Sequence, residues 1–463
     1  MDWIGFESYL LLGTLTFLIF FLSYILYTKT QSILFPLASF LLYYWSLFGS
    51  WMIILDRTGG DSGMHYHYLQ KKMFPIVLDG DYLKTMLYYG IFILTFQFVL
   101  LLLVKPRNKF KKWLNPIEIN HTQAIAVGFF LAGVGLFSSL PLLGQAMMKG
   151  ISLYRIRALS EDASSTFYFL LLRASLLMFC VSFATFLSGK DGKYFFSNQK
   201  GVKYYLFYLT GISAVLTYSF LLGRKNDSFC VLISAVLFYI HNNPKFSFKW
   251  IPWVVVVGAI MLGFVDKLRG VPIDQLGDTL LTIDLDFVFD SLLATISSNE
   301  GFGAHFSMYG VLAYDVPMTY GTSFLSLATI LVPKFFSIPR FPDVYEYYQQ
   351  ALGLNPNQGY TIHHATGWYL NFGILGVVIA GIVLGGLLSS LSNLQPKGDS
   401  RWRNMAIILS PILIVGYFPA FVRGGIEVYK PLILEGLIFQ LLALGLCVSW
   451  RKAPLRSLVP AMT

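Results

Sequence analysis

The sequence predicts an all-α integral membrane protein with about eleven transmembrane helices. Hydrophobic residues make up 56% of the chain and charged residues only 13%, whereas a soluble domain carries about 25% charged residues. The apolar runs have helical length, since a helix of about 20 residues crosses a hydrocarbon core of roughly 30 Å. They lack the short alternation of a membrane barrel. A spanning backbone must also satisfy its own hydrogen bonds, which favours helices.

The predicted spans follow one another from the N-terminus to the C-terminus. They cover residues 9–27, 33–55, 86–104, 123–143, 167–188, 204–222, 228–241, 251–266, 367–392, 404–421 and 431–449. The first span follows Asp2 and Glu7 and has neither a basic region nor a small-residue cleavage site, so we predict a retained helix. No repeat of fixed period and no low-complexity linker interrupts the chain, which indicates one membrane domain over residues 1–463.

Lysine and arginine in the connecting segments predict the orientation. Basic clusters follow alternate spans and begin at Lys105, Gly189, Asn242, Pro396 and Arg451. If all of them face the cytoplasm, the N-terminus lies outside and the C-terminus inside. The net charge of +10 is then largely a topology signal. Nucleic acid is not an expected partner, because its binding requires a soluble basic face.

The longest connection is an outer segment over residues 267–366, far longer than a turn requires. It contains an apolar piece that begins at Tyr320 and is short and bounded by prolines. A full span there would break the alternation of the basic segments. We therefore predict a re-entrant or interfacial helix within a long extracytoplasmic loop.

Arginine recurs at the outer ends of several predicted spans, against the usual cytoplasmic bias. Arg224 precedes the run 228–241, which as a helix is only about 21 Å long and would hold the turn below the outer membrane surface. Such an arginine usually faces a functional cavity; snorkelling to headgroups, or pairing with Asp227, is the alternative. Comparable positions are held by Arg155, Arg157, Arg173, Arg269, Arg340 and Arg423. Arginines at one depth indicate an anion site, because guanidinium binds phosphate bidentately and stays charged when desolvated.

Candidate proton-transfer groups lie on the same side of the membrane as these arginines. They are Glu300 and His305 in the long outer loop, and His363 and His364 at the entry of the ninth span. Histidine is the usual general base near neutral pH, although a loop histidine is often merely solvated.

The sequence does not predict a metal centre. Asp79 and Asp81 form one acidic pair, and a second group begins at Asp284. Such carboxylates can share a hard cation, but no further ligand set accompanies either group. The three cysteines all lie in apolar runs, which suits neither a disulfide framework nor a metal knuckle.

Four segments resemble the Wzy-type O-antigen or oligosaccharide repeat-unit polymerases and, more distantly, the O-antigen ligases. They are LLGRKNDSF (221–229), LVPKFFSIPRFPD (331–343), GYTIHHATGWYLNFGILGVVIAGIVLG (359–385) and FVRGG (421–425). The resemblance covers mainly residues 220–430, and the first 200 residues are similar only in being hydrophobic. It implies a membrane glycosyltransferase of the GT-C type in the bacterial cytoplasmic membrane, with its active site facing the exterior.

The resemblance also implies an activity. A growing glycan passes from its undecaprenyl-pyrophosphate carrier to the non-reducing end of a new lipid-linked repeat unit at the outer leaflet. Such lipid-linked oligosaccharides, membrane lipids and a chain-length regulator protein are the implied partners. The lipid pyrophosphate supplies the energy, no P-loop sequence occurs, and no cofactor is expected.

Site residues follow from the motifs and from the chemistry of the leaving group. Preorganised arginines stabilise the negative charge that develops on a departing pyrophosphate. Arg224, Arg340 and Arg423 are the first candidates, and Arg173 and Arg269 are the reserve. The candidate bases are His364, then His363, then Glu300. The related ligases carry one histidine before an analogous span, so which of the two histidines corresponds to it stays open.

Three other functions fit parts of the same pattern. A lipid-linked glycan flippase would also place arginines in a cavity, but flippases usually show repeated halves, and none is visible here. A GT-C enzyme that uses a polyprenyl-monophosphate sugar would employ Asp79 and Asp81 as acid or metal ligands. A structural partner of a polysaccharide export complex would not require the arginines to converge.

Overall fold

The protein is described by a computed structural model that covers most of the chain. The described residues are 3–57, 76–106, 119–159, 165–188, 199–223, 225–243, 256, 270–281, 284, 286, 289, 304–330, 341–354, 361–395, 400–421 and 424–447. Within these ranges the regular elements are helices, and the only pairing of extended chain is by isolated bridges. The prediction of an all-α membrane protein is confirmed.

The helices follow the order of the predicted spans. They are α1 (Trp3–Thr30), α2 (Leu34–Tyr43), α3 (Gly49–Arg57), α4 (Gly80–Leu103), α5 (His121–Lys149), α6 (Leu153–Leu159), α7 (Ser165–Ser188), α8 (Gln199–Leu221), α9 (Lys225–Asn242), α10 (Leu276–Leu281), α11 (Ala304–Ala313), α12 (Thr322–Ile330), α13 (Val344–Ala351), α14 (His364–Ser392), α15 (Arg401–Gly416), α16 (Phe418–Phe421), α17 (Tyr429–Pro431) and α18 (Phe439–Gly445). Two π-helical segments, Tyr44–Phe48 and Leu432–Ile438, join α2 to α3 and α17 to α18, and a 3-10 turn, Ile273–Gln275, precedes α10.

Seven helical stretches in the described part of the chain are long and apolar enough to cross a membrane. They correspond to the predicted spans 9–27, 33–55, 86–104, 123–143, 167–188, 204–222 and 367–392. The chain is therefore a multi-pass membrane protein. The total of eleven spans, the GT-C fold and the orientation stay predictions, and the span 251–266 lies outside the described residues except for Val256.

The predicted length of the seventh span is wrong. The structure begins α9 at Lys225 and ends it at Asn242, a helix of 18 residues and about 27 Å. A hydropathy pattern ends a span where polar residues begin, but the first turn of a helix accepts polar residues, because its N–H groups lack intrahelical partners. The depth of the turn that carries Arg224 stays a prediction, because Arg224 lies outside the described residues.

The long predicted loop contains short helices in its described part, including α11, α12 and α13. The apolar piece from Tyr320 forms α12, whose 9 residues are about 14 Å long, too short to cross a bilayer. The ring of Phe324 on α12 packs against Trp368 and Phe372 of α14 at centroid distances of 4.8 and 5.5 Å. This part of the loop is therefore folded against the membrane helices.

Helix α4 is the main partner of α14, and close backbone approach joins them. A Cβ atom added to Gly381 would lie 2.8 Å from the Phe92 carbonyl oxygen, and one added to Gly385 would lie 2.9 Å from that of Phe96. Small residues four apart are the usual means of such close packing in membranes. Gln97 of α4 adds a buried hydrogen bond of 2.9 Å to the Ile19 carbonyl of α1. These contacts establish the scaffold on which the start of α14 is placed.

Candidate functional site

Helix α14 is broken near its start, and this break positions the two histidines. Phe372 and Gly373 leave the helical conformation, and Gly373 has a φ of 58°, which glycine adopts without strain. A side chain on Gly376 would overlap the Trp368 carbonyl oxygen, so only glycine fits after the break. The motif Asn-Phe-Gly-x-x-Gly therefore codes for a sharp change of helix direction.

Asn371 holds the break by using both ends of its amide. Its Oδ1 accepts hydrogen bonds from the hydroxyls of Thr319 and Ser323 at 2.8 and 2.7 Å. Its Nδ2 donates to the Gly367 carbonyl at 2.7 Å. The asparagine is fully buried, and a buried amide is stable only when it is paired in this way. The first segment of α14 is therefore fixed to α12 and its preceding turn.

The break brings the histidine pair to the middle of α4 and not to one of its ends. The ring of His363 lies 4.4 Å from that of Tyr89 and 5.7 Å from that of Phe92, which are near the midpoint of α4. Both His363 and His364 are fully buried. The predicted position at the entry of α14 is confirmed, since α14 begins at His364, but that entry lies deep among the helices.

The contacts of His364 determine its tautomer. Trp368 Nε1–H can only donate, and it donates to His364 Nε2 at 3.0 Å. Nε2 is therefore unprotonated, and Nδ1–H donates to the Gly425 carbonyl at 2.8 Å. The Tyr429 hydroxyl lies 3.1 Å from the same Nε2. His364 is thus a neutral imidazole whose acceptor nitrogen faces a tyrosine hydroxyl.

His363 has the opposite tautomer. Its Nδ1 accepts the backbone N–H of Ala365 at 3.0 Å and so caps α14. Nε2 therefore carries the proton and donates to Ser46 Oγ at 2.7 Å. The distance is that of a serine–histidine nucleophile pair, but a protonated Nε2 cannot take the serine proton. In this state His363 holds α14 to the π-helical segment Tyr44–Phe48.

The segment that carries Arg423 is bonded directly to the histidine segment. Ile362 and Gly424 form a parallel bridge, in which Gly425 N–H donates to the Ile362 carbonyl at 2.9 Å. Gly425 also accepts the bond from His364 Nδ1. The motifs GYTIHHATGW and FVRGG, about 60 residues apart in the sequence, therefore meet in one place.

Glu427 is a component of this turn that the sequence analysis did not select. Its Oε1 accepts the backbone N–H of Val344 at 2.8 Å, at the start of α13. Burial of the carboxyl group, with a smaller effect of the nearby Asp343 carboxylate, raises the pKa of Glu427 to about 7, although the Val344 bond opposes the shift. The sequence feature that could have identified Glu427 is that it is the only acidic residue in the segment RGGIEVYK.

Of the five arginines selected to bind pyrophosphate, Arg173 is the one that lies among the described residues. It is 7% exposed, and its guanidinium carbon lies 4.6 Å from the centroid of the Tyr417 ring, a cation–π geometry. Tyr417 ends α15 and leads into α16. Phe421, the last residue of α16, lies 5.2 Å from the His364 ring. Arg173 and His364 therefore contact the two ends of one short segment.

Arg157 of α6 lies beside α7, one helical turn before Arg173. The guanidinium of Arg157 lies 5.9 Å from the ring of Phe169, which precedes Arg173 by one helical turn. The neighbouring Tyr154 ring fills the space beside Gly223, where a Cβ atom would overlap it. The turn before Arg224 therefore packs against the helix that carries Arg157.

The remaining candidates cannot be placed. Arg224, Arg269, Arg340, Arg423 and Glu300 lie outside the described residues. Their roles stay predictions that rest on the neighbouring described segments.

The acidic pair near the start of α4 has structural roles. Asp79 caps α4 by accepting the N–H groups of Asp81 and Tyr82 at 3.0 and 2.9 Å. Asp81 forms a salt bridge of 2.8 Å with Lys84. Among the described residues, no group of three histidine, cysteine, aspartate or glutamate side chains is arranged to hold a metal ion.

Comparisons of the chain with protein-family models, curated proteins and solved structures gave no match. The fold and the site define a multi-pass helical membrane protein with a buried polar centre. The family resemblance stays a prediction from the motifs.

Proposed function

We propose that this protein is a membrane glycosyltransferase that polymerises undecaprenyl-pyrophosphate-linked oligosaccharide repeat units at the outer face of the bacterial cytoplasmic membrane. It transfers the growing glycan to the non-reducing end of a new repeat unit. The product is an O-antigen or a related surface polysaccharide.

One observation carries the proposal: the turn that bears Arg423 is hydrogen-bonded to His364 in the middle of the helices. Intramembrane polar groups are costly, and they usually mark a functional site. Non-helical backbone at this depth is also tolerated only inside protein or beside a cavity. The break at Gly373 and the turn at Gly425 together place a candidate base and a candidate phosphate-binding turn side by side.

Contacts made by α7 support the same proposal. Arg157 of α6 lies over the Phe169 ring of α7, Arg173 of α7 lies over the Tyr417 ring, and Tyr154 of α6 packs against Gly223. Arginines from separate helices are suited to bind both phosphates of a lipid diphosphate. Arg340 and Arg269 remain further candidates in this role.

The reaction balances with these groups alone. The acceptor hydroxyl oxygen attacks the anomeric carbon, and a base removes the hydroxyl proton. The bond between that carbon and the pyrophosphate oxygen breaks, and the lipid pyrophosphate leaves with the electron pair. Arginines around the pyrophosphate stabilise the charge as it develops, an effect that is strongest where water is excluded.

His364 is the preferred base, because its Nε2 is unprotonated. An acceptor hydroxyl would have to displace both the Trp368 N–H and the Tyr429 hydroxyl from the single lone pair of Nε2, while the Gly425 bond still holds the ring. His363 and Glu300 are the second and third candidates; His363 would first have to change its tautomer.

The test uses purified protein in detergent with undecaprenyl-pyrophosphate-linked repeat units, and the glycolipids are separated on a gel. We expect a ladder of chain lengths. His364→Ala should lower the rate by a factor of about 10² or more, as expected for loss of a general base. Arg173→Gln should also slow polymer formation. Its control is Arg403→Gln, since Arg403 is exposed near the start of α15.

Each alternative function gives a different result. A flippase produces no ladder, because it moves the lipid-linked glycan across the membrane and forms no glycosidic bond. A glycosyltransferase for polyprenyl-monophosphate sugars extends acceptors only from that donor and, if Asp79 and Asp81 bind a metal, stops on chelation. A full ladder from His364→Ala would exclude His364 as the base.

A further inference from the structure

We propose that Glu427 is a positioning residue that fastens the turn after Arg423 to the start of α13, which follows Arg340 in the sequence. The inference rests on the proposed function for its role in catalysis, but the fastening itself is a separate structural statement. Neither the family motifs nor the candidate bases include this residue.

The first argument is geometric. Glu427 lies two residues after Gly425, whose carbonyl binds His364. Its Oε1 binds the N–H of Val344, the first residue of α13. A side chain on Gly425 would lie 2.9 Å from Glu427 Oε2, so the carboxyl group also lies against the turn. The glutamate therefore bridges two segments far apart in sequence.

The second argument concerns what each segment carries. Asp343 caps α13 through a 2.7 Å bond from Glu346 N–H, and Arg340 precedes this cap by three residues. Arg423 precedes Gly424 directly. The contact between Glu427 and Val344 thus joins two residues that each follow a candidate phosphate-binding arginine by four positions.

The third argument is electrostatic. A carboxylate at the start of a helix is stabilised by the unpaired N–H groups there. The groups that face Glu427 are the Val344 N–H and the Ser326 hydroxyl, which favour its charged form, and the Asp343 carboxylate, which disfavours it. His364, on the far side of Gly425, is bonded to the turn through its Nδ1–H. The bond between Glu427 and the Val344 N–H should therefore depend on pH, because protonation of the carboxylate weakens a charge-assisted hydrogen bond.

The experiment compares wild type with Glu427→Ala and Glu427→Gln. The control is Glu346→Gln, which changes an exposed glutamate of α13. Polymer formation is measured against the concentration of lipid-linked repeat units. Glu427→Ala should raise KM on the order of tenfold and change kcat much less, because loss of a charged hydrogen bond loosens both arginine segments. Glu427→Gln keeps an acceptor oxygen, so its rise in KM should be smaller.

The pH profile separates positioning from a general loss of structure. In wild type, kcat/KM should fall as the pH drops through about 7, because Glu427 takes up a proton there. In Glu427→Gln the fall of kcat/KM near pH 7 should be absent. A merely structural defect would instead lower the amount of folded protein and leave the pH dependence of kcat/KM unchanged. An unchanged KM in Glu427→Ala would overturn the proposal while leaving the proposed function intact.

A second measurement does not depend on activity. Hydrogen exchange of the peptide that contains Val344 should be faster in Glu427→Ala than in wild type and in Glu346→Gln. Equal exchange in all three would overturn the fastening. If wild type makes no polymer but exchange responds as expected, the proposed function fails and the fastening stands.

Discussion

The group formed by α5, α7 and α8 differs sharply from the group formed by α14 to α18. In the first group the helices are regular, and Phe179 of α7 inserts between Gly128 of α5 and Gly211 of α8. In the second group the helices are broken at Phe372–Gly373 and at Tyr417, and a π-helical segment follows α17. Among the residues whose burial is described, the two fully buried histidines, His363 and His364, belong to the irregular group. Regular packing provides stability, whereas irregular backbone exposes polar groups that can bind a ligand.

The largest expected effect is on stability in the regular group. Phe179→Ala should lower the free energy of unfolding by about 3–5 kcal/mol, because it leaves a cavity beside two glycines that cannot fill it. Thermal unfolding in detergent measures this loss. Polymer formed per folded molecule should be unchanged, and a selective loss of activity in folded protein would contradict the division between the two groups.

The next largest effect is on the break in α14. Gly376→Ala should lower the free energy of unfolding by about 3 kcal/mol, because its Cβ would overlap the Trp368 carbonyl, and it should also abolish polymer formation. Gly386→Ala is the control on the same helix, since nothing lies within 4 Å of its added Cβ. Full activity in Gly376→Ala would show that the position of His364 does not depend on the break.

Asn371→Ala tests the polar support of the break. It leaves the Thr319 and Ser323 hydroxyls and the Gly367 carbonyl without their present partner, which should cost about 1–3 kcal/mol. Asn371→Asp keeps the acceptor but buries a carboxyl group against the Gly367 carbonyl, so it should be at least as destabilising in the same unfolding measurement. Wild-type stability in Asn371→Ala would show that these hydrogen bonds contribute little.

Arg173 tests the junction between the two groups. Arg173→Gln should weaken the contact with Tyr417 by about 1–2 kcal/mol and raise the KM for the lipid-linked substrate. Arg173→Lys keeps the charge but not the bidentate geometry, so it should restore stability more than substrate binding. Equal recovery of both would indicate that Arg173 has only a packing role.

The last prediction concerns the dependence of stability on pH. Glu427 has a pKa raised from 4.5 to about 7, so the folded protein holds a proton that the unfolded chain releases between these values. Stability from this group should therefore fall as the pH rises from 4.5 towards 7. The unfolding temperature of wild type relative to Glu427→Gln measures this term; an opposite slope would mean that Glu427 is charged when folded.

The sequence predicted the helices well where hydropathy alone decides them. The seven long apolar helices agree with the predicted spans because each helix needs only a sufficient run of apolar residues. The start of α9 was predicted wrongly, since the first turn of a helix accepts the polar residues that end a hydropathy run. His363 and His364 were selected from the sequence as candidate bases, and that role stays a prediction, whereas their full burial and their contacts were not predictable.

By itself the sequence determined the class of the protein, because the solvent around each residue follows from local composition. It also identified the histidine and arginine motifs as candidate site residues. Only the tertiary structure decided that His364 lies at the middle of α4, that Gly425 binds it and that Glu427 reaches α13. These pairings join residues more than 60 positions apart. They depend on the direction that α14 takes after its break. Close packing sets that direction, and composition does not encode it.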